Sequence, residues 1–160
     1  MKWNPILLLV LAAVVTVAGC SPEVDLDAEK IELLRIHMAD IQAHVDGDVA
    51  TLLTTIPEEF IHVGDGKITR QSRVEIEGFF TGYLKNATYE RYEDLVVPHA
   101  EVSADGTLGW VVSQMAVTRT EPDPGGEGTR TRSFTYAGIM TYEKVGGKWM
   151  KVANVSTFAP

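Results

Sequence analysis

The order of helix-forming and strand-forming segments is the feature that most limits what this chain can fold into. Helix signals lie before residue 85, and nearly everything after it favours β-strands. The four long strand segments cover residues 88–103, 108–120, 129–144 and 148–158. Asp105-Gly106 and Gly146-Gly147 lie between neighbouring segments, and both pairs are typical of hairpin turns. The pattern therefore predicts an α+β domain, with three N-terminal helices on one face of a strongly bent antiparallel sheet.

The predicted strands are longer than usual, which indicates that the sheet bends. Ordinary strands have roughly 3–10 residues, and longer ones usually contain bulges. We expect these bulges at Pro98 or Gly138, because neither residue suits the middle of a regular strand. A proline- and glycine-rich loop at 121–128 joins the second and third long segments, and a short strand at 59–63 precedes the Gly64-Asp65-Gly66 turn.

The first helix is predicted from a capping residue, a periodic apolar stripe and a glycine stop. Asp27 follows Leu26 in a position suited to an N-cap, and Gly47 is suited to the C-terminal end. The apolar residues recur at spacings of three and four, at Ile31, Leu34, Met38, Ile41 and Val45. This spacing predicts one apolar stripe facing the core.

Two further helices follow before the long strands. Asp48 is suited to cap a short helix that ends at Pro57. Ser72 and Glu75 match a capping box at the start of the third helix, whose apolar face includes Phe79 and Phe80.

The N-terminus carries a different kind of signal. An apolar run at residues 6–18 is shorter than the roughly 20 residues of a membrane-spanning helix, and it suits a secretory signal. The run ends in Val17-Ala18-Gly19-Cys20, which resembles a bacterial lipobox. A plain signal followed by an unrelated cysteine is the alternative.

The lipobox resemblance implies a processed and acylated chain. Residues 1–19 would be removed, Cys20 would carry palmitate-type acyl chains, and residues 20–25 would form a tether to the domain at 26–160. More than one acyl chain gives stable membrane anchoring. The expected location is the cell envelope: the outer membrane facing the periplasm in a two-membraned cell, otherwise the outer face of the cell membrane.

Composition excludes several classes of function. The chain has 22 acidic and 14 basic residues and a net charge of −8, which argues against a nucleic-acid partner. A single cysteine excludes an internal disulfide framework. No cofactor is expected.

The domain resembles the nuclear transport factor 2-like superfamily, especially its SnoaL-like and ketosteroid isomerase-like bacterial branch. The residues that carry the likeness are Asp46-Gly47-Asp48, Phe60, Gly66, Phe79-Phe80 and Gly147-Lys148-Trp149, in this order between the helices and strands. The resemblance implies a cone-shaped, cystatin-like architecture in which the sheet wraps the long helix and leaves a pocket at the open end. The superfamily includes isomerases, dehydratases and binding proteins, so the fold alone does not define a function.

The likeness places His62 at the pocket mouth, where it is a candidate general base together with Tyr136 or Asp65. Ketosteroid isomerases carry a catalytic carboxylate in this region, but the matching position here is near Gly64. SnoaL-like sequences often have histidines on the last strand, where this chain has Ala153 and Val155. These departures favour binding over catalysis.

Six residues on the predicted strands are candidates for lining a ligand pocket. They are His62, Trp110, Gln114, Tyr136, Met140 and Asn154. Strand alternation places Trp110 and Gln114 on one face of their strand, and Val111 and Met115 on the other. Because both faces of this strand are apolar, we expect a homodimer through the sheet.

Two polar clusters are interpreted as surface features. His37, Asp40 and His44 share one flank of the first helix, which we expect to be solvated or at an interface, with no metal site. Arg119, Arg130 and Arg132 flank the 121–128 loop and are expected to be a solvated charge cluster.

The sequence therefore favours an envelope lipoprotein whose cone domain binds a small apolar or amphipathic ligand, or a partner protein, without catalysis. One alternative is a SnoaL-like isomerase, hydratase or dehydratase that uses His62 with Tyr136 or Asp65. The other is a dimerising scaffold whose cone is filled by its own side chains.

Overall fold

The computed structural model describes residues 24–159, which form three helices and seven strands. The helices are α1 (Leu26–Asp46), α2 (Val49–Leu53) and α3 (Arg73–Leu84). The strands are β1 (Glu59–Gly64), β2 (Lys67–Ser72), β3 (Thr88–Asp94), β4 (His99–Val102), β5 (Leu108–Pro122), β6 (Thr129–Val145) and β7 (Lys148–Phe158). The predicted signal at 1–19 and the lipidation at Cys20 lie outside the described residues. None of the described helices is long and apolar enough to cross a membrane.

The seven strands form one curved sheet in the order β2-β1-β7-β6-β5-β3, with β4 also paired to β5. The predicted α+β class with three helices against a bent sheet is confirmed. The sheet is mixed rather than wholly antiparallel, because β1 and β7 run parallel with Ile61 opposite Ala153. We call the face that packs on the helices the helix-side face, and the opposite face the outer face.

Two parts of the strand prediction differ from the structure. The segment at 88–103 is two strands, because Pro98 lies in the connection between β3 and β4, and both strands pair with β5. Strand β2 was not predicted; it forms because Asp65 and Gly66 both have positive φ angles and close a two-residue hairpin turn. The predicted turn at Gly146-Gly147 has the same geometry.

The bulges do not lie at the predicted residues. The register shifts between Tyr89 and Arg91 in β3, and next to Thr141 and Tyr142 where β6 meets β7. Gly138 pairs regularly with Ser156, so the prediction of a bulge there is wrong. The lack of a side chain at Gly138 instead allows the backbone of β7 to approach closely, since a Cβ at this position would lie 2.6 Å from the carbonyl oxygen of Val155.

The buried face of α1 is not the predicted apolar stripe. Leu33 and Ile36 are buried against the sheet and Ala43 against the other helices, whereas Ile31 and Met38 are 67% and 56% exposed. Val45 is also exposed, and Leu34 and Ile41 are half-buried. The apolar stripe does not predict the buried face of α1, because the flank of the helix beside the stripe finds polar partners on the sheet. This flank faces the interior, and its charged and polar side chains are paired there.

The helix ends follow the predicted chemistry with one shift. The N-cap of α1 is Asp25, whose side chain accepts a hydrogen bond from the Ala28 amide, rather than Asp27. Gly47 ends the helix in the left-handed conformation, and Asp48 caps α2 as predicted. Ser72 and Glu75 form the predicted capping box of α3.

The core consists of three apolar clusters between the helices and the sheet. The largest joins α1 to β4–β7, and its buried residues are Leu33, Ile36, Ala100, Val102, Val111, Tyr142 and Trp149. The second contains Leu53, Ile56, Phe60 and Ile76, and the third contains Ala43, Leu52 and Leu84. Phe80 packs against the second and third clusters, which brings α3 onto the same interior.

Candidate functional site

His62 lies on the helix-side face of β1, in line with the buried Phe60 two residues earlier. Its Nδ1 is 2.7 Å from Oδ1 of Asn154, the residue opposite it on β7. With this amide oxygen as acceptor, the imidazole donates from Nδ1 and keeps the lone pair on Nε2. His62 and Asn154, two of the predicted pocket residues, are therefore brought together.

The other two catalytic candidates do not join His62 within the described residues. Asp65 is exposed in the β1–β2 turn, with a φ of 51°. The hydroxyl of Tyr136 pairs with that of Tyr92 at 3.0 Å. Burial raises the pKa of Tyr136 to about 12, so this hydroxyl stays protonated at neutral pH and serves as a hydrogen-bonding group.

The remaining pocket candidates divide between the two faces of the sheet. Trp110 and Gln114 are on the outer face, because they alternate with Val111 and Met115, which are buried on the helix side. They cannot line a pocket together with His62. Met140 is on the helix-side face, where it packs against the first and second core clusters.

The structure also shows where the two residues of the last strand lie that replace the histidines of SnoaL-like proteins. Ala153 and Val155 pair with Ile61 and Val63 on the outer face. Asn154, between them, is the residue that faces His62 on the helix side.

Aromatic rings form two groups, one on α3 and one on β6 and β7, and we call them together the aromatic patch. Its members are Phe79, Phe80 and Tyr83 on α3, and Phe134, Tyr136 and Phe158 on the strands. Phe79 and Phe158 are each 55% exposed. The two halves connect through His44, which is stacked on Tyr92 at 4.8 Å and contacts Phe80 edge-on at 5.7 Å.

The inward flank of α1 carries a row of paired polar side chains. His37 Nε2 is 3.0 Å from both carboxylate oxygens of Asp94, and Asp40 pairs with the buried Lys151 at 2.5 Å. His44 donates from Nδ1 to the Asp40 carbonyl oxygen at 2.8 Å. Of the two expectations for this flank, solvated or at an interface, the solvated one is wrong, since Asp94 and Lys151 on the sheet pair with it.

The environment of His44 favours its neutral form. Burial lowers the pKa of His44 below its ordinary value and outweighs the opposing effect of its bond to the Asp40 carbonyl. The spacing of His37, Asp40 and His44 was the sequence signal for this row. The partners of His37 and Asp40 could not be predicted, because they lie more than fifty positions away along the chain.

One member of the arginine cluster, Arg119, is buried rather than solvated as predicted, whereas Arg130 and Arg132 are exposed. Arg119 and Glu121 on β5 are 7% and 8% exposed, and they form an ion pair with each other. Arg130 and Arg132 on β6 also pair with Glu121, at 2.8 Å and 3.5 Å. A groove of about 320 Å³ lies beside this cluster, and Tyr83 and Asn86 line it as well.

The comparisons with known proteins concern the fold. No protein-family model and no curated protein matches this sequence. A nuclear transport factor 2-like superfamily protein from Salmonella enterica serovar Typhimurium aligns at 13% identity with a TM-score of 0.66, over 84% of this chain and 93% of that one. A nuclear transport factor 2-like protein of unknown function from Pseudomonas putida aligns at 12% identity with a TM-score of 0.64, over 84% and 88% of the two chains.

A third solved structure is similar over almost its whole length. A ketosteroid isomerase-like protein from Erwinia carotovora aligns at 14% identity with a TM-score of 0.60, over 82% of this chain and 98% of that one. At these identities the similarity concerns the backbone arrangement and transfers no site residue. The chain therefore has the nuclear transport factor 2-like fold, as the order of its helices and strands predicts.

Proposed function

We propose that this protein is an envelope lipoprotein, anchored through Cys20, whose cone domain binds a small amphipathic ligand on the aromatic patch. The observation that carries the proposal is the exposure of two large aromatic side chains, Phe79 on α3 and Phe158 on β7. Large aromatic side chains bury about 150–250 Å² each when covered. A ligand that covers these rings would remove this apolar surface from water.

The proposal is for binding rather than catalysis because the catalytic candidates do not converge. Asn154, rather than an acid or a tyrosine, is the hydrogen-bond partner of His62. Tyr136 is held by Tyr92, and Asp65 lies in an exposed turn. Within residues 24–159, His62 therefore has neither Tyr136 nor Asp65 as the proton-transfer partner that the isomerase alternative assigns to it.

Native mass spectrometry of the protein extracted in an uncharged detergent tests for a co-purified ligand. The expected result is an additional mass of a small molecule, which the Phe79→Ser variant loses. Val74→Ser is the matched control, because Val74 is an exposed residue of α3 outside the patch. No bound molecule, together with no thermal shift across a panel of amphiphiles, would contradict the proposal.

Anchoring through Cys20 has a separate test. The Cys20→Ala precursor should stay uncleaved and lose labelling by a palmitate analogue, whereas Ser21→Ala should be processed normally. Normal cleavage of the Cys20→Ala chain would exclude a lipoprotein.

We also propose that the outer face of the sheet pairs with a second copy of this chain. Trp110, Val112 and Val155 are exposed on the central strands β5 and β7, and Ile139 is half-buried between them. Apolar residues at the centre of a sheet face favour coverage by another protein surface. Val112→Asp should convert a dimer to a monomer in sedimentation analysis, whereas Glu93→Asp on the same face should not.

A further inference from the structure

The helix-side face continues beyond the aromatic patch into a row of charged residues on β6. Arg130, Arg132, Phe134 and Tyr136 occupy alternate positions of this strand and therefore point to the same face. Successive members of such a row are about 6.6–6.8 Å apart. The Cζ atom of Arg132 lies 5.7 Å from the ring centre of Phe134, so the charged and aromatic surfaces are continuous.

The helix α3 forms the opposite boundary of the same surface. Tyr83 stacks on Phe79 with ring centres 5.4 Å apart, and it also lines the groove beside the arginines. The guanidinium carbon of Arg119 lies 3.9 Å from the centre of the Tyr83 ring. The arginine groove and the aromatic patch thus share Tyr83 on one side and adjoin at Arg132 and Phe134 on the other.

Positive charge exceeds negative charge in this groove. Three guanidinium groups surround the single carboxylate of Glu121. Burial opposes ionisation of Glu121, but the hydrogen bond from Arg130 and the charges of the three arginines hold its pKa below its ordinary value. The cluster therefore has a local charge of about +2, by the ordinary ionisation of Arg and Glu, in a chain whose net charge is −8.

Arg119 forms the fixed part of the groove, and the other two arginines form its accessible part. The Arg119 side chain is more than nine-tenths buried, and its Nε has no hydrogen-bond partner among the described residues. Arg130 and Arg132 have side chains 42% and 50% exposed, so their guanidinium groups can reach a bound molecule. Both already form ion pairs with a carboxylate, that of Glu121, which shows the chemistry that this cluster accommodates.

We propose that the ligand of the aromatic patch is an organic carboxylate, with its head group held by Arg130 and Arg132 and its apolar body lying on Phe134 and the neighbouring rings. This inference rests on the proposed function and adds the charge and the orientation of the ligand. Planar guanidinium groups pair with carboxylates through two parallel hydrogen bonds. A groove of about 320 Å³ is in the size range of small-molecule sites.

The test compares two probes with the same apolar body, one with a carboxylate head group and one with an uncharged hydroxyl. Phenylbutyrate and phenylbutanol have the same carbon skeleton, and isothermal titration measures the affinity of the detergent-extracted protein for each. We expect phenylbutyrate to bind about tenfold more tightly, a difference of about 1.4 kcal/mol, because its carboxylate forms charge-assisted hydrogen bonds with the two arginines. The preference should decrease as the salt concentration rises.

The double variant Arg130→Gln/Arg132→Gln should remove this preference, so that the two probes bind with equal affinity. These two arginines are chosen because Arg119 is buried, and its replacement would leave Glu121 without its buried partner. Arg35→Gln is the matched control, since Arg35 is an exposed residue of α1 that pairs only locally with Glu32. It should retain the preference for the carboxylate.

The outcomes separate this inference from the function on which it rests. Equal affinity for the two probes, unaffected by Arg130→Gln/Arg132→Gln, would overturn the carboxylate assignment and leave the proposed binding function intact. Absence of binding by either probe would contradict both. Tighter binding of phenylbutyrate that persists in the double variant would place the anion elsewhere and would also overturn the inference.

Discussion

The two ends of the helix–sheet interior are built from similar residue types but differ in how completely those residues are covered. At one end, Leu33, Tyr142 and Trp149 are almost wholly buried between α1 and the sheet. At the other end, Phe79 and Phe158 are half exposed and the neighbouring arginines share one carboxylate. The first end is the part of the interior that stabilises the fold, whereas the second leaves aromatic surface exposed, and this is where we propose that a ligand binds.

The role of the first, buried end in stability is most directly tested by Leu33→Ala. Leu33 is completely buried, and the variant should lower the free energy of unfolding by about 4 kcal/mol, in the upper part of the range for such cavities. Urea denaturation followed by circular dichroism measures this change. Leu34→Ala, on the half-buried flank of the same helix, is the control and should cost clearly less. Equal costs for the two variants would contradict the observed orientation of α1.

The polar row between the two ends is tested by Lys151→Met. The variant leaves the Asp40 carboxylate without its partner, and we expect a loss of about 3 kcal/mol, as for other broken buried ion pairs. The double variant Asp40→Asn/Lys151→Met should recover part of the loss, because no charge remains unpaired. Lys148→Met provides an exposed control on the same strand. Failure of the double variant to recover stability would show that the charges are not coupled.

The pH dependence of stability tests His44. Its pKa is lowered in the folded protein, so below about pH 6.5, the ordinary value, the unfolded chain binds a proton that the folded chain resists. Stability due to this group is therefore present at neutral pH and decreases as the pH falls toward 5. Because α1 carries a second histidine, His37, paired with Asp94, the measurement compares the parent with His44→Phe, which keeps the ring against Tyr92. The variant should lose less stability on acidification, and an unchanged pH profile would contradict the prediction.

A substitution at the second, exposed end should have the smallest effect on stability. Phe79→Ser removes a ring that is 55% exposed, so we expect a loss of less than about 1 kcal/mol, together with loss of the ligand. Thermal denaturation with and without phenylbutyrate measures both quantities. A loss as large as that of Leu33→Ala would mean that this ring supports the core rather than a ligand.

The outline of the fold could be predicted because its signals are local. Gly146-Gly147 sets a hairpin turn, and Ser72 with Glu75 starts a helix, wherever these residues stand in the chain. The parallel pairing of β1 with β7 has no comparable signal, since it depends on how distant segments meet. The extra strand β2 depends on the two-residue turn at Asp65-Gly66.

The site was harder to predict because partners decide whether a polar residue turns inward. His37 and Asp40 face the sheet only because Asp94 and Lys151 are there to meet them. Arg119 did carry a local signal, since Glu121 stands two positions later on the same face of its strand. The alternation of side chains along β5 correctly predicted that Trp110 and Val111 lie on opposite faces of the sheet. Which of the two faces packs against the helices follows only from the tertiary structure.

The parallel pairing of β1 with β7 has a consequence for the order of folding. Ile61 meets Ala153 across the sheet, so the hairpin β1–β2 joins the sheet only after almost the whole domain has been synthesised. Contacts of such long sequence separation slow folding, because the intervening chain must be ordered first. Strand β7 lies between β1 and β6 and therefore completes both halves of the sheet at once. A chain truncated before Lys148 would expose one unpaired edge on β6 and another on β1, and such edges favour aggregation.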